Sequence, residues 1–458
     1  MNNDTICAIA TPHGSGGVAI IRISGKDSAK IADTIFSGSN NAKIKDQKPF
    51  SVSYGKIVNG KTELDDVLVS YFKSPHSYTG EDVVEISCHG SVYIQQELLR
   101  LLISAGARLA APGEFTMRAF MNGKMDLSQA EAVADLISTT NKASHRMAFN
   151  QMRGGFSREL ELLREKLLHF VSMIELELDF GEEEVEFANR KELINLVEEI
   201  SEKITSLINS FSVGNAIKSG IPVAIAGETN VGKSTLLNAI LNEDRAIVSE
   251  IPGTTRDTIE DVINMEGTGF RFIDTAGIRT TQDKIESMGI ERTWSKVQQA
   301  SIILYMTDAR SESDKIALEL DEIKQKISGH QHLIVVINKT DLCEPIEIRK
   351  RLANYELIEI SAKKKTNVDL LKKKILEKAA LPEVTSESVI VSNARHFEAL
   401  KLASSALERI KADLSENISE ELLTSDIREV MNHLGSITGQ ISNDEVLGNI
   451  FKNFCIGK

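Results

Sequence analysis

Residues 223–235 read VAIAGETNVGKST. An apolar run from Val223 to Ala226 breaks at Gly227. Gly232, Lys233 and Ser234 then complete the pattern G-x-x-x-x-G-K-S before a second apolar stretch, TLLNAIL, from Thr235 to Leu241. Strand, glycine-rich turn and helix, in that order, are what a phosphate group needs. Glycines let backbone N–H groups close around a β-phosphate, and the first helical turn adds partial positive charge. Lys233 reaches toward the β- and γ-phosphates, and the Ser234 hydroxyl suits magnesium. The stretch predicts a P-loop nucleotide site on an α/β sheet.

Three later loops follow apolar strands in the same manner. FRFIDTAG (270–277) puts Asp274 at a strand end, within reach of the magnesium shell, and the Gly277 N–H where a γ-phosphate would lie. LIVVINKTD (333–341) offers Asn338 and Asp341. A carboxylate at Asp341 accepts from both N1–H and the N2 amine of guanine, a donor pair that adenine lacks. LIEISAK (357–363) adds a backbone loop, Ser361 to Lys363, suited to guanine O6. Each loop alone reads as an ordinary strand-end turn. Four in order specify a guanine nucleotide, with ATP the weaker competitor.

Hydrolysis requires a group that orients water. Many GTPases place a glutamine directly after D-x-x-G, but here that place holds Ile278, which has neither donor nor acceptor. Glu286, within IRTTQDKIESMGIERTW (278–294), reads either as a carboxylate that positions water or as a solvated helix-face glutamate. Arg279 reads as an internal arginine finger or as an exposed arginine. In SEIPGTTRD (249–257), Thr255 offers a switch hydroxyl to magnesium. The Asn230 side chain reads as a loop-stabilising group or as a ligand of a monovalent cation between the phosphates. Such a cation would supply the charge an arginine finger otherwise brings.

The 458 residues are too many for one core and suggest about three domains. With 41% hydrophobic and 26% charged residues, the composition is that of a soluble globular protein. No stretch approaches the roughly 18 apolar residues of a membrane span, and the start MNNDTICAIATPHG has neither a basic nor an apolar leader region. A cytoplasmic protein with no membrane partner is expected. Four cysteines, Cys7, Cys88, Cys343 and Cys455, lie far apart without C-x-x-C spacing, which argues against a zinc site or a disulfide framework. A net charge of -13 disfavours a protein that coats nucleic acid through its overall field, so any RNA contact must be local or shared with a partner.

The chain divides into four stretches. Residues 1–119 mix short apolar runs (Val18 to Ile23, Val67 to Tyr71, Val83 to Ile86) with turns and one helix around Ile94 to Ala105, as in a small α/β domain. Residues 120–217 turn helical, opening with a capping box in SQAE, Ser128 to Glu131. Residues 218–381 alternate strands and helices as a parallel sheet with crossovers does. Residues 382–458 return to helix, and a second capping box, SNDE from Ser442 to Glu445, starts a final helix ending near Phe454. The two helical stretches are expected to pack together with the alternating domain inserted between them.

GETNVGKST, PGTTRD, DTAGIR with Glu286 downstream, NKTD and SAK together resemble the MnmE (TrmE) family of potassium-activated GTPases that modify the tRNA wobble uridine. The likeness spans the chain: ATPHGSGGVAIIRISG and YTGEDVVEISCHG near the start, PGEFTMRAFMNGKMDLSQAEAVADLI at the helical junction, and CIGK at the end. The resemblance implies a multidomain fold: an N-terminal α/β folate-binding-like domain, a discontinuous α-helical domain and an inserted Ras-like P-loop GTPase domain. It implies GTP held by Gly227, Asn230, Val231, Gly232, Lys233, Ser234 and Thr235, by Thr254 and Thr255, and by Asp274, Thr275, Ala276 and Gly277. Asn338, Lys339 and Asp341, with Ser361, Ala362 and Lys363, would complete the set. Mg2+ falls to Ser234 and Thr255, and K+ to Asn230 and a cation loop of Ser249, Ile251 and Thr254. Glu286 becomes the general acid/base, acting through water. A 5-formyl-tetrahydrofolate or related tetrahydrofolate falls to Arg22, Glu85, Lys124 and Lys458. The chemistry agrees, since a pterin offers amide-like donors to a carboxylate such as Glu85 and its glutamyl tail carries carboxylates for Arg22 or lysine.

The partners so implied are a second copy joined through the N-terminal domain, an FAD-dependent protein of the MnmG (GidA) type, and tRNA. The product would be a 5-aminomethyl-type (carboxymethylaminomethyl) group on the wobble uridine, U34. A GTPase switch in ribosome assembly, without RNA-modification activity, is the rival reading. The terminal FCIGK places Cys455 at the prenylation distance, but Gly457 is not aliphatic and Lys458 is an unusual last residue. Cys455 otherwise reads as a buried structural cysteine or as a thiol on a mobile tail. The resemblance implies that the final helix carries it to the folate, with a role in the modification.

Overall fold

The computed structural model describes residues 4–39, 43–179, 190–243, 261–273, 298, 300–327, 331–379, 385, 388–416, 420–441, 444–452, 454 and 457. The chain separates into two compact units, one of residues 1–137, 151–200 and 402–458, the other of residues 138–150 and 201–401.

The first unit holds a seven-stranded sheet of β1 (Ile6–Ile9), β2 (Val18–Ser24), β3 (Phe36–Gly38), β4 (Ser51–Asn59), β5 (Thr62–Phe72), β6 (Val83–His89) and β7 (Arg108–Leu109). Their order across the sheet is β3-β4-β5-β6-β2-β1-β7, antiparallel except for β1 with β7. Side chains alternate between faces. Ile21, Ile23, Val69, Val84 and Ile86 point to one face, where Leu98 and Leu102 of the helix Val92–Ser104 seal them into a core. That alternation sends Arg22 and Glu85 to the opposite face, directly across from each other in register. Beside them Ile6 and Ala8 of β1 pack on Phe115, from the helix Glu114–Met121.

The helical part of this unit includes Leu127–Ser138, Gly155–Asp179, Glu420–Thr438 and Asp444–Phe451. Leu160, Leu163, Leu167, Phe170, Val171 and Ile174 recur at three- and four-residue spacing and are buried, as are Ile427, Val430, Leu434 and Ile437. The helices that carry these stripes pack along each other, with Arg164 Nε donating to the Met431 carbonyl at 3.3 Å. Residues from the two distant helical stretches therefore share one bundle, as expected.

One helix start differs from the sequence reading. The capping box belongs to Asp126 and Gln129, whose side chains each accept or receive the other's backbone contact: the Gln129 N–H donates to Asp126 Oδ1 at 2.9 Å and the Asp126 N–H to Gln129 Oε1 at 3.0 Å. Ser128 instead lies inside the helix, fully buried, beside the Gln151 amide at 3.2 Å. The reason is Leu127: its burial with Ala130, Leu447 and Phe451 requires the helix to begin at that residue. The Ser442 box lies outside the described residues, and the helix it was to open ends at Phe451.

The second unit contains a six-stranded sheet of β8 (Ile221–Ala226), β9 (Asp261–Met265), β10 (Thr268–Phe272), β11 (Ile302–Asp308), β12 (His332–Asn338) and β13 (Leu357–Glu359). The order is β13-β12-β11-β8-β10-β9, parallel except for β9 on β10. All seven residues of β11 are buried, as a central strand covered on both faces demands. The helices Lys233–Glu243, Ser313–Lys326 and Val368–Ala379 contribute to its two cores. The chain leaves β8 toward one side of the sheet and returns to β11 on the other. The loop after β8 thus sits at the crevice where strand order reverses. Among the described residues, no helix is long and apolar enough to cross a membrane.

Candidate nucleotide and folate sites

Between β8 and the helix that begins at Lys233, Asn230 adopts φ 64° and Gly232 φ 101°. A side chain at Gly232 would place its Cβ 2.3 Å from the Asn338 amide nitrogen, so only glycine lets the loop lie this close to β12. Lys233 folds back over the loop, its Nζ donating to the carbonyls of Gly227 and Glu228 at 2.6 Å each. Ser234 is half-buried and Thr235 exposed, both in the first helical turn, where backbone N–H groups and the helix dipole favour an anion.

The guanine loops meet the phosphate loop through Asn338. This residue is 3% exposed; its Nδ2 donates to the Val231 carbonyl at 2.8 Å and its Oδ1 accepts the Ala362 N–H at 2.9 Å. Its amide therefore serves as a clasp among three loops. Asp341, the residue expected to face the base, lies beside the Ser361 loop. Its Oδ1 accepts from the Ser361 hydroxyl at 2.7 Å, and the Lys364 ammonium lies 3.8 Å from Oδ2. The Ser361 hydroxyl, and behind it the ammonium groups of Lys364 and Lys363, hold the Asp341 carboxyl below the ordinary carboxylate range. The Ser361 loop is closed by paired backbone bonds with Thr366 at 3.1 Å, which leaves Lys363 exposed at its tip.

Lys339 takes a left-handed conformation, φ 65°, and its Nζ donates to the Asn230 carbonyl at 2.7 Å while pairing with Asp308 at 2.8 Å. Asp308 was not a sequence candidate. The signal available was an acid closing the apolar run IILYMTD. Ser249, Ile251, Thr254, Thr255, Asp274, Thr275, Ala276, Gly277, Arg279 and Glu286 lie outside the described residues, as do Cys455 and Lys458.

In the first unit, the register that faces Arg22 with Glu85 brings Nε to 2.8 Å from Oε1. The rings of Tyr78 and Phe115 flank the guanidinium at 5.5 and 5.7 Å, and Arg22 Nη1 donates to the Gly457 carbonyl at 3.4 Å. Lys124 is exposed and donates to the Pro75 carbonyl at 3.0 Å, on the loop that continues to Tyr78. A carboxylate, a guanidinium and flanking rings suit the pterin amide edge, the acidic tail and the ring of a folate. Gly457 is buried against β1: a Cβ there would fall 2.1 Å from the Ile9 carbonyl oxygen, and its φ of +94° suits glycine alone. Phe454 is seated too, on Gly113 and 5.2 Å from the Phe451 ring. The described part of the tail is thus packed where a mobile one was expected. Cys7 and Cys88 are buried, and burial pushes both thiols up to about 11, which disfavours the thiolate.

Sequence comparison agrees with this layout. Residues 5–124 match the family described as GTP-binding protein TrmE N-terminus, and residues 127–455 match the MnmE helical domain. The tRNA modification GTPase MnmE of Bacteroides fragilis is 54% identical over 467 aligned residues, covering 100% of both chains. That of Bacteroides thetaiotaomicron is likewise 54% identical, and that of Flavobacterium johnsoniae 52%, each covering 100% of both chains. With identity of this level along its whole length and a helical-domain match that encloses the nucleotide site, the chain belongs to the MnmE family.

Proposed function

We propose that this chain is a GTP hydrolase that acts in tRNA modification, installing with an FAD-dependent partner of the MnmG type an aminomethyl-type group on C5 of the wobble uridine. The observation that carries the reading is the clasp of the 338–341 and 361–363 loops on the glycine-rich loop, in a chain about half identical, end to end, to proteins named tRNA modification GTPase MnmE. Asp341, held ionised, accepts from the guanine edge; Lys233 and the first helical turn receive the phosphates. Ser234 and Thr255 would hold Mg2+. Asn230, with Ser249, Ile251 and Thr254, would hold K+, which supplies positive charge beside the phosphates. Glu286 would orient the attacking water. GTP turnover acts as a conformational switch rather than as the modification chemistry itself.

Arg22, Glu85, Lys124 and Lys458 would bind a tetrahydrofolate, and Cys455 would take part in the modification. Val52, Tyr54 and Leu68 stand 62%, 56% and 48% exposed on adjacent strands of the same sheet, an apolar face that supports a homodimer through the N-terminal domain. A cytoplasmic location suits a tRNA substrate.

The test is to digest total tRNA from cells lacking the protein, rescued with wild type or Cys455→Ser, and to quantify wobble-uridine nucleosides by mass spectrometry. Loss of the modified uridines, restored by wild type alone, is the expected result. Their persistence in the deletion strain overturns the reading and brings forward a GTPase switch in ribosome assembly. Separately, GTPase rates that are equal in potassium and sodium would remove the cation loop, and an unimpaired Glu286→Ala would remove that residue from catalysis.

A further inference from the structure

We infer that Asp308 is a positioning residue of the nucleotide site, acting through Lys339 to set the P-loop backbone at Asn230. The inference rests on the guanine-nucleotide reading above and adds a residue to it.

Asp308 ends β11 directly opposite Asn338 in register, and the following Ala309 N–H donates to the Asn338 carbonyl at 2.8 Å. The aspartate therefore stands beside the guanine-recognition loop while belonging to another strand. Arg310 takes one side of its carboxylate, with Nε and the backbone N–H donating to Oδ1 at 2.9 and 3.0 Å and Nη2 donating to Oδ2 at 2.7 Å. Oδ2 also meets the Lys339 ammonium at 2.8 Å. The two cations keep the carboxyl ionised, well below the usual carboxylate range.

Lys339 passes this anchoring on. A lysine ammonium on a flexible four-carbon stem has no fixed direction of its own. Held by Asp308, it donates to the Asn230 carbonyl at 2.7 Å. Asn230 and Lys339 both sit in the left-handed region, at φ 64° and 65°, which non-glycine residues occupy only where their surroundings hold them. One ammonium ties these two turns together, a second brace beside the Asn338 amide between the loop that reads guanine and the loop that wraps phosphate. Asp308 belongs to neither loop; from the end of β11 it aims the group that joins them.

The test is a double-mutant cycle on the full chain, read as affinity for a fluorescent GDP analogue, with melting temperatures measured in parallel without nucleotide. Asp308→Asn is expected to weaken binding by about tenfold, the loss of one charge-assisted hydrogen bond. In a Lys339→Met background it should add less than about twofold, because the lysine it aims is gone. A merely structural aspartate would lower the melting temperature and weaken binding by the same factor in both backgrounds, and that result overturns the inference. So does unchanged affinity in Asp308→Asn. If Asp308→Asn does not fold, Asp308→Glu keeps the charge and moves it by one methylene; a loss of about threefold or more, abolished by Lys339→Met, is then the expected pattern, and an additive loss the overturning one. A wild-type chain that binds no GDP would instead overturn the guanine-nucleotide reading itself.

Discussion

Asn338 reaches from the end of β12 to the Val231 carbonyl, 2.8 Å away, and holds the phosphate loop down on the sheet. Its other amide atom accepts the Ala362 N–H at 2.9 Å, so one buried side chain satisfies a backbone group in each neighbouring loop. Asn338→Ala leaves both without a partner, at a cost of about 1–3 kcal/mol each. Denaturant unfolding of the nucleotide-free protein should show a loss of about 2–6 kcal/mol, with GDP binding weakened in step.

Asp341 should decide which purine is bound. Asp341→Asn replaces one acceptor with a donor, which opposes guanine N2 and matches the O2 carbonyl of xanthine. Titrations with GDP and XDP should show the preference moving toward xanthine by about 100-fold or more, as expected where a site built for one hydrogen-bond pattern meets another. A variant that weakens both nucleotides equally would deny Asp341 the base.

The same carboxylate predicts a pH effect. Its folded pKa lies below the ordinary carboxylate value because Ser361 donates to the ionised form. Its contribution is therefore present above that ordinary value and lost as pH falls through the lowered one. Ser361→Ala should raise the Asp341 pKa and move the acid limb of GDP binding to higher pH. An unmoved acid limb would assign the limb to another group.

Gly457 seats the tail. In Gly457→Ala the new methyl meets the Ile9 carbonyl, and the φ of +94° penalises any side chain, so the terminus should lift from β1. Carboxypeptidase should then trim the chain markedly faster, while the melting temperature changes little. Tetrahydrofolate affinity, measured by calorimetry, should fall with the contact between Gly457 and Arg22.

Arg118 anchors the N-terminal unit. Its side chain, 11% exposed, pairs with Asp4 at 2.8 Å, Glu114 at 3.0 Å and Glu81 at 3.1 Å. Arg118→Met strips a buried network of one cation while Arg108 still holds Glu114 and Asp4, so a loss of about 2–4 kcal/mol is expected. The Asp4 carboxyl is held below its ordinary range first by the Arg108 hydrogen bond, and that of Glu114 by Arg108, the Ala111 N–H and Arg118 against the pull of burial. Their stabilisation exists above the ordinary carboxylate values and disappears as pH falls through the lowered ones. Acid unfolding, followed by circular dichroism, should therefore begin at higher pH in Arg118→Met.

The candidate nucleotide loops were legible because their parts are local. Each residue expected to meet phosphate or base in these stretches lies in a loop that directly follows an apolar strand, and in a parallel sheet such loops share one edge, so spacing along 223–235, 333–341 and 357–363 already brings the loops together. Period-two alternation in β2 and β6 likewise separates Arg22 and Glu85 from the core face. Other relationships belong to the tertiary structure alone. Arg22 meets Glu85 across 63 residues and Gly457 across 435, and Asp308 finds Lys339 from a different strand. Strand register and the burial of distant apolar groups set those meetings. The same cause moved the capping box from Ser128 to Asp126, where both sequence patterns were admissible and the packing of Leu127 chose between them.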